Sequence, residues 1–227
     1  MNAMESNKFC IVNVGTNGYA TISERLNTSL NNVGYSGGRL IYSGRLPEGS
    51  PTHQENPYAF KIYAIQHALN LGYKQILWVD SSLYPIRPLD DIQKYIIENG
   101  WFVFRTGYNL AQSVSDRTLE YSGVLRDEAE HITEYASGCV GLNFELKEVR
   151  WLFDSWKRYM TDGQFNGSRS HDNQSQDPRF LFHRQDQSCL SLAMYTHRIE
   201  VPVDAPAFCH YYGTPQTEQT IFMIHGI

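Results

Sequence analysis

The sequence predicts a single-domain α/β fold in which a mostly parallel central sheet is flanked by helices. Three observations predict it. Short apolar runs at Lys8–Val14 (KFCIVNV), Ile76–Val79 (ILWV) and Trp101–Arg105 (WFVFR) are too short for helices and read as buried strands. Segments with helical spacing alternate with them over the first hundred residues, the pattern of a parallel sheet covered by helices. The central run stops at Asp80, an acidic residue at the carboxyl end of a buried strand, where open α/β sheets bind ligands.

The chain in order supports this. After Lys8–Val14 comes a turn, Gly15-Thr16-Asn17-Gly18-Tyr19-Ala20, and then a helix carrying Ile22, Leu26 and Leu30. A strand, a glycine-bearing turn and a helix commonly meet a phosphate or nucleotide, and the Tyr19 ring offers a face to a base. Gly38–Ser43 reads as a second strand, and 44–57 as a surface loop rich in turn formers. Pro57 opens a helix whose apolar face is Ala59, Ile62, Tyr63, Ile65, Ala68 and Leu69, stopped by Gly72. Lys61 falls early in it, where a lysine reaches a phosphate or simply solvent.

Asp90 and Asp91 begin a further helix, as the macrodipole favours, with Ile92, Ile96 and Ile97 inward and Gly100 at its end. Residues 106–134 read as mixed loop and helix. Tyr135–Asn143 reads as one strand with two glycines, a sign that a ligand or another backbone comes close. Glu145–Met160 is a helix with Val149, Leu152, Phe153 and Trp156 inward. The polar segment 161–179, with His171 and Asp172, reads as a lid or solvated loop. Asp186-Gln187 heads a helix, where Asp186 either caps or does chemistry. Arg198–Val203 reads as a short strand, and His210 lies near the C-terminus.

Composition narrows the function. With 227 residues, 41% of them apolar, the chain supports one sizeable core. A net charge of −5 argues against a nucleic-acid binder. No stretch reads as a membrane span or signal region. The dispersed cysteines, Cys10, Cys139, Cys189 and Cys209, read as reduced core residues of a cytoplasmic protein. The dinucleotide pattern G-x-G-x-x-G and the phosphate-loop pattern G-x-x-x-x-G-K-[ST] are both absent, which weighs against a dehydrogenase and an NTPase.

Five stretches, in order, resemble the GT-A-fold glycosyltransferases, most of all the glycogenin and lipopolysaccharide-galactosyltransferase-like group. They are Val14–Tyr19, Trp78–Leu83 with Pro88-Leu89, Ser137–Asn143, Asp186-Gln187 and His210-Tyr211-Tyr212-Gly213. The resemblance covers nearly the whole chain. It implies a GT-A-type, Rossmann-like sheet, with 1–105 as the nucleotide-binding half and 106–227 as the donor-sugar and acceptor half.

The resemblance further implies transfer of a sugar from a nucleotide-sugar donor, a UDP-sugar, to a glycan, lipid-linked or protein acceptor. It assigns nucleotide binding to Val14, Gly15, Thr16, Tyr19, Lys61 and Asp80. It assigns the donor sugar to Ser137, Gly138 and Asn143, and catalysis to Asp186 and Gln187. A divalent metal, Mn2+ or Mg2+, would be held by Asp80, Ser82 and His210. The chain departs from the family at Ser82, which replaces the second aspartate of D-x-D, and at Ala136. Thr214-Pro215-Gln216 also stands where the family has lysine and tryptophan. A neutral hydroxyl at Ser82 implies a weaker metal site or one that is dispensable. The alternative reading is a catalytically degenerate nucleotide-sugar or glycan binder. The loop 161–179 and the surface near Tyr211 and Tyr212 are expected on the acceptor side.

Overall fold

The computed structural model describes residues 8–166, 174–210 and 216–224. In chain order its strands are β1 (Phe9–Gly15), β2 (Gly38–Ser43), β3 (Gln75–Val79), β4 (Leu83–Pro85), β5 (Trp101–Phe102), β6 (Arg105–Asn109), β7 (Thr133–Tyr135), β8 (Cys139–Asn143), β9 (Cys209–His210) and β10 (Phe222–Ile224). The helices are α1 (Ala20–Asn32), α2 (Ala59–Asn70), α3 (Asp90–Asn99), α4 (Leu110–Ser113), α5 (Asp116–Ser122), α6 (Arg126–Ala129), α7 (Lys147–Thr161) and α8 (Asp186–Thr196).

The central sheet has the order β2-β1-β3-β8-β5. β1 pairs in parallel with β2 and β3, while β8 runs antiparallel to β3 and β5. Side chains alternate across it, so each apolar run feeds two cores. Cys10, Val12, Val14, Ile76 and Trp78 turn to the face covered by α2, α7 and α8. Phe9, Ile11, Leu77 and Val79 turn to the face covered by α1 and α3. Each fully buried Leu or Ile of these cores contributes about 1.5–3 kcal/mol.

The reversed β8 positions the site. Because it runs against β3, its first residue, Cys139, pairs with Val79, and its last, Asn143, pairs with Gln75. Ser137 and Gly138, just before β8, therefore arrive at the Asp80 end of the sheet. A second sheet, β4-β10-β9, extends from that end and carries His210.

Several expectations change. Tyr135–Asn143 is not one strand: it breaks into β7 and β8, and β7 pairs with β6 outside the main sheet. Trp101–Arg105 splits likewise, with only Trp101 and Phe102 in the main sheet. The helix expected from Pro57 begins at Ala59, because Tyr58 is left-handed at φ 58°. Ile97 is 43% exposed, since it lies about 100° around α3 from the inward Ile96. Residues 198–203 form irregular chain between two turns rather than a strand.

Gly141 does mark a close approach, and the neighbour is the protein itself. A Cβ there would lie 2.4 Å from Ile96 Cδ1 and 3.0 Å from Phe102 Cβ. The four cysteines are free and buried. Among the described residues no helix is long and apolar enough to cross a membrane.

Candidate active site

The apolar run of β3 delivers Asp80 to the sheet end. Its backbone N–H donates to Gly138 O at 2.7 Å, which pins the start of β8 beside it. Its carboxylate is held by the indole of Trp78, whose Nε1 donates to Oδ1 at 2.7 Å. The Asp80 side chain is 31% exposed, so part of it faces solvent.

Beneath it lies Lys61. This lysine is 1% exposed and ion-paired with both Asp80 Oδ1 at 3.1 Å and Asp186 Oδ2 at 2.8 Å. It also donates to Ser137 O at 3.0 Å and to Ser137 Oγ at 3.2 Å. The rings of Tyr58 and Trp78 stand 5.3 Å from the ammonium, at cation–π range. Lys61 was expected at a diphosphate. Its ammonium is instead buried and engaged by two carboxylates and a carbonyl, so it organises the site from below.

Asp186 does not cap its helix. Gln185 occupies that position, at φ 56°, and Asp186 is the first helical residue. It is 2% exposed, its own carbonyl accepts from Trp156 Nε1 at 2.9 Å, and its carboxylate is turned to Lys61. The next residue, Gln187, accepts from the Ser137 backbone N–H through Oε1 at 3.3 Å. Its Nε2 is buried and finds no partner among the described residues.

Burial alone would lower the Lys61 pKa. Asp186 and Asp80 outweigh it and hold the ammonium above the ordinary lysine range. Asp80 moves upward, because burial and the neighbouring Asp186 outweigh the pull of Lys61 and the Trp78 indole. Two carboxylates share one ammonium, and the excess of negative charge favours a further cation at the exposed side of Asp80.

At the neighbouring strand end, Val14 and Gly15 close β1 and Tyr19 ends a short 3-10 turn, 45% exposed. Val14, Gly15, Thr16 and Tyr19 thus lie at the same sheet end as Asp80, through the parallel pairing of β1 and β3. Gly15 is required there: a Cβ would fall 1.8 Å from Ser23 Oγ and 2.5 Å from Tyr19 O. Below the turn Asn13 Nδ2 donates to Val79 O at 2.7 Å and Ser81 Oγ at 3.1 Å. Ser23 Oγ meets the same hydroxyl at 3.0 Å. These buried ties fix the Asp80-Ser81-Ser82 turn, with Arg25 donating to Ser82 O at 3.2 Å.

Two of the three residues named for a divalent ion, Asp80 and His210, carry side chains suited to ligate one. Among the described residues no three His, Cys, Asp or Glu side chains converge. Asp80 offers a partly exposed carboxylate. His210 lies on β9, which reaches β4 through β10, and its Nδ1 is buried without a partner among the described residues. Each would supply at most one protein ligand, which suits only an ion that completes its shell from phosphates and water.

Asn143 is corrected. It sits at the opposite end of β8, roughly 13 Å along the strand from Cys139. It binds Gln75 Nε2, Glu145 N and Ile97 O, so it ties the far end of the sheet. His171, Asp172, Tyr211, Tyr212 and Gly213 lie outside the described residues. Sequence reasoning gave no role to Asn13, Ser23 and Ser81, and placed Trp156 inward without its tie to Asp186. The signal available was weak: polar residues inside apolar runs, as Asn13 is within KFCIVNV.

No family model matches the chain, and no curated protein matches it. Solved structures do. WbbM, a bifunctional glycosyltransferase, matches with a TM-score of 0.51 at 10% identity over 87% of this chain, which spans 39% of the WbbM chain. A glycosyltransferase involved in glycosylating the major capsid of PBCV-1 matches with a TM-score of 0.44 at 13% identity, covering 95% of this chain and 93% of its own. The galactosyltransferase LgtC, solved with donor and acceptor sugar analogs, matches with a TM-score of 0.40 at 10% identity, covering 81% and 69%. The fold is that of a GT-A-like glycosyltransferase, a mixed α/β domain with a mostly parallel sheet.

Proposed function

We propose that the chain transfers a sugar from a nucleotide-diphosphate donor, a UDP-sugar, to a hydroxyl of a glycan, lipid-linked or protein acceptor. The observation that carries this is the Asp80–Lys61–Asp186 cluster, with Ser137 and Gln187 against it, at the carboxyl end of the central strand of this fold. Ligands of open α/β sheets bind at that end.

In this reading Val14, Gly15, Thr16 and Tyr19 receive the nucleotide, with the Tyr19 face against the base. Ser137, Gly138 and Gln187 line the sugar side, and the unpartnered Nε2 of Gln187 donates to the sugar or the leaving oxygen. Asp80 and His210 hold a Mn2+ or Mg2+ ion, with Ser82 contributing at most a neutral oxygen. The ion's chemistry is to offset the negative charge that grows on the leaving diphosphate.

Lys61 acts as a positioning residue, holding Asp80, Asp186 and Ser137 in one geometry. Asp186 is enclosed and ion-paired, which favours the same role over that of a general base. A second reading, a binder that has lost transfer, rests on Ser82 in place of an acid.

The test is calorimetric titration with UDP and GDP, each with and without manganese, followed by a turnover screen of UDP-sugars. Metal-dependent UDP binding that is lost in Asp80→Asn, together with turnover, supports the transferase. Binding without turnover favours the second reading. Full turnover by an Asp80→Ala variant sinks the assignment.

A further inference from the structure

Side chains on β7 alternate. Glu134 turns inward, where Thr106 Oγ1 donates to its Oε2 at 2.6 Å. Thr133 and Tyr135 turn the other way and line a cavity of about 560 Å³. That volume lies within the range of roughly 300–1,000 Å³ usual for small-molecule sites. Its floor is apolar, made by Ile132, Tyr135, Ile199 and Val201, all buried. Its rim carries Arg105, His131 and Arg198 against the single carboxylate of Glu200. Ser191 separates it from the Asp80 cluster. Its hydroxyl accepts from Tyr135 N at 2.9 Å and donates to Gln187 O at 2.9 Å.

The two arginines differ in an informative way. Arg105 is fixed, donating to Val201 O at 2.7 Å and Thr133 Oγ1 at 3.3 Å, with N–H groups left over. Among the described residues the Arg198 side chain has no hydrogen bond or ion pair, and the residue is exposed.

Its backbone is strained. α8 ends in a Schellman motif, with Ile199 N donating to Met194 O at 2.9 Å and Arg198 N to Tyr195 O at 3.0 Å. Arg198 holds the left-handed position of that motif at φ 54°, where glycine or asparagine is usual. A cation suits a helix C-terminus, but any exposed position of the last turn would serve that purpose without strain. An arginine at this left-handed position, over an apolar floor, points to a ligand.

We propose that this pocket binds a small organic anion, a phosphate or carboxylate on a body with an apolar face. Arg198 and Arg105 take the anionic group, and Tyr135, Ile199 and Val201 take the body. The site is distinct from the Asp80 cluster and does not depend on the function proposed for it.

Calorimetric titration of the full chain with phenyl phosphate, benzoate and benzyl alcohol tests this, in the wild type and in Arg198→Gly. One-site binding of phenyl phosphate or benzoate, with benzyl alcohol silent, is expected, and which anion binds more tightly identifies the preferred group. Arg198→Gly is expected to weaken that binding at least tenfold while melting at the same or a higher temperature, because glycine relieves the strain. That combination separates lost binding from lost folding. Asp80→Asn should leave anion binding unchanged. The proposal is overturned by no anion binding, by equal binding of benzyl alcohol, by unchanged affinity in Arg198→Gly, or by an equal loss in Asp80→Asn.

Discussion

Lys61 and Asp186 come from opposite halves of the chain and meet at 2.8 Å beneath the end of the central strand. With Asp80 at 3.1 Å as well, the ammonium is shared by two carboxylates. Both contacts lie in a site where Lys61 is almost fully enclosed. The stability and the chemistry of the site therefore depend on the same atom.

Lys61→Met should cost about 3–5 kcal/mol, the usual penalty for stranding a buried charge partner. Asp80 would then lack its counter-charge, and its folded pKa, already raised by burial and the neighbouring Asp186, would rise further. A group raised in this way favours the fold below its unfolded pKa and loses that contribution as pH rises. The deficit against wild type should thus shrink on acidification. Urea midpoints of both proteins between pH 7 and pH 4 measure it, and a pH-independent deficit contradicts the arrangement.

Asp80→Asn should separate stability from function. Burial and Asp186 raise the folded pKa of Asp80, so it favours the fold fully below its unfolded pKa and loses that contribution as pH rises through the folded value. The amide keeps an oxygen for the Trp78 indole and removes the charge. The variant should match or exceed wild-type stability near neutrality, its relative advantage growing between the unfolded and folded pKa of Asp80 and levelling off above them. Nucleotide binding in manganese should fall sharply. Thermal melts over pH paired with UDP titration decide this.

Gln187→Ala removes the acceptor of the Ser137 N–H and the open Nε2 donor. The lost hydrogen bond should cost only about 1 kcal/mol of stability. If Nε2 serves the transition state, turnover should drop by about 10²-fold. A turnover loss no larger than the loss in folded fraction would reduce Gln187 to a structural role.

His183 gives the fold an acid limit. Its ring is fully buried, accepting from Ser115 N at 3.3 Å on Nδ1 and bonded to Gln164 O at 3.0 Å through Nε2. Burial lowers its pKa from 6.5 to about 4, partly offset by the Gln164 carbonyl. A lowered pKa means the neutral ring stabilises the fold fully above pH 6.5 and progressively less as pH falls toward 4. The loss over that window should reach about 3 kcal/mol. Stability curves of wild type and His183→Gln should diverge above pH 6 and converge near pH 4.

Among the residues proposed for function, the legible ones were those tied to strand ends. Asp80 closes an apolar run, Gly15 closes another, and Ser137 precedes a third. Asn143 misled because it belongs to the same short motif as Ser137, and a strand separates its two ends by its own length. Lys61 was legible as unusual, a charge on an apolar helix face, but not as the centre of the cluster. Nothing local reveals which carboxylates will come to it.

By itself the sequence determined the elements whose signals are local. Apolar runs made strands, 3.6-residue spacing made helices, and their alternation made the parallel β2-β1-β3 part of the sheet. The tertiary structure alone decided that β8 runs backward against β3, that Tyr135–Asn143 breaks so Ser137 can reach Lys61, and that Asp186 faces inward. Strand direction and ion pairing depend on packing between distant segments, where the free energy of a buried charge is set by neighbours far along the chain. The left-handed Arg198 at the end of α8 belongs to the same class. Its strain is tolerated because the surrounding contacts fix the backbone, and no run of neighbouring residues announces it.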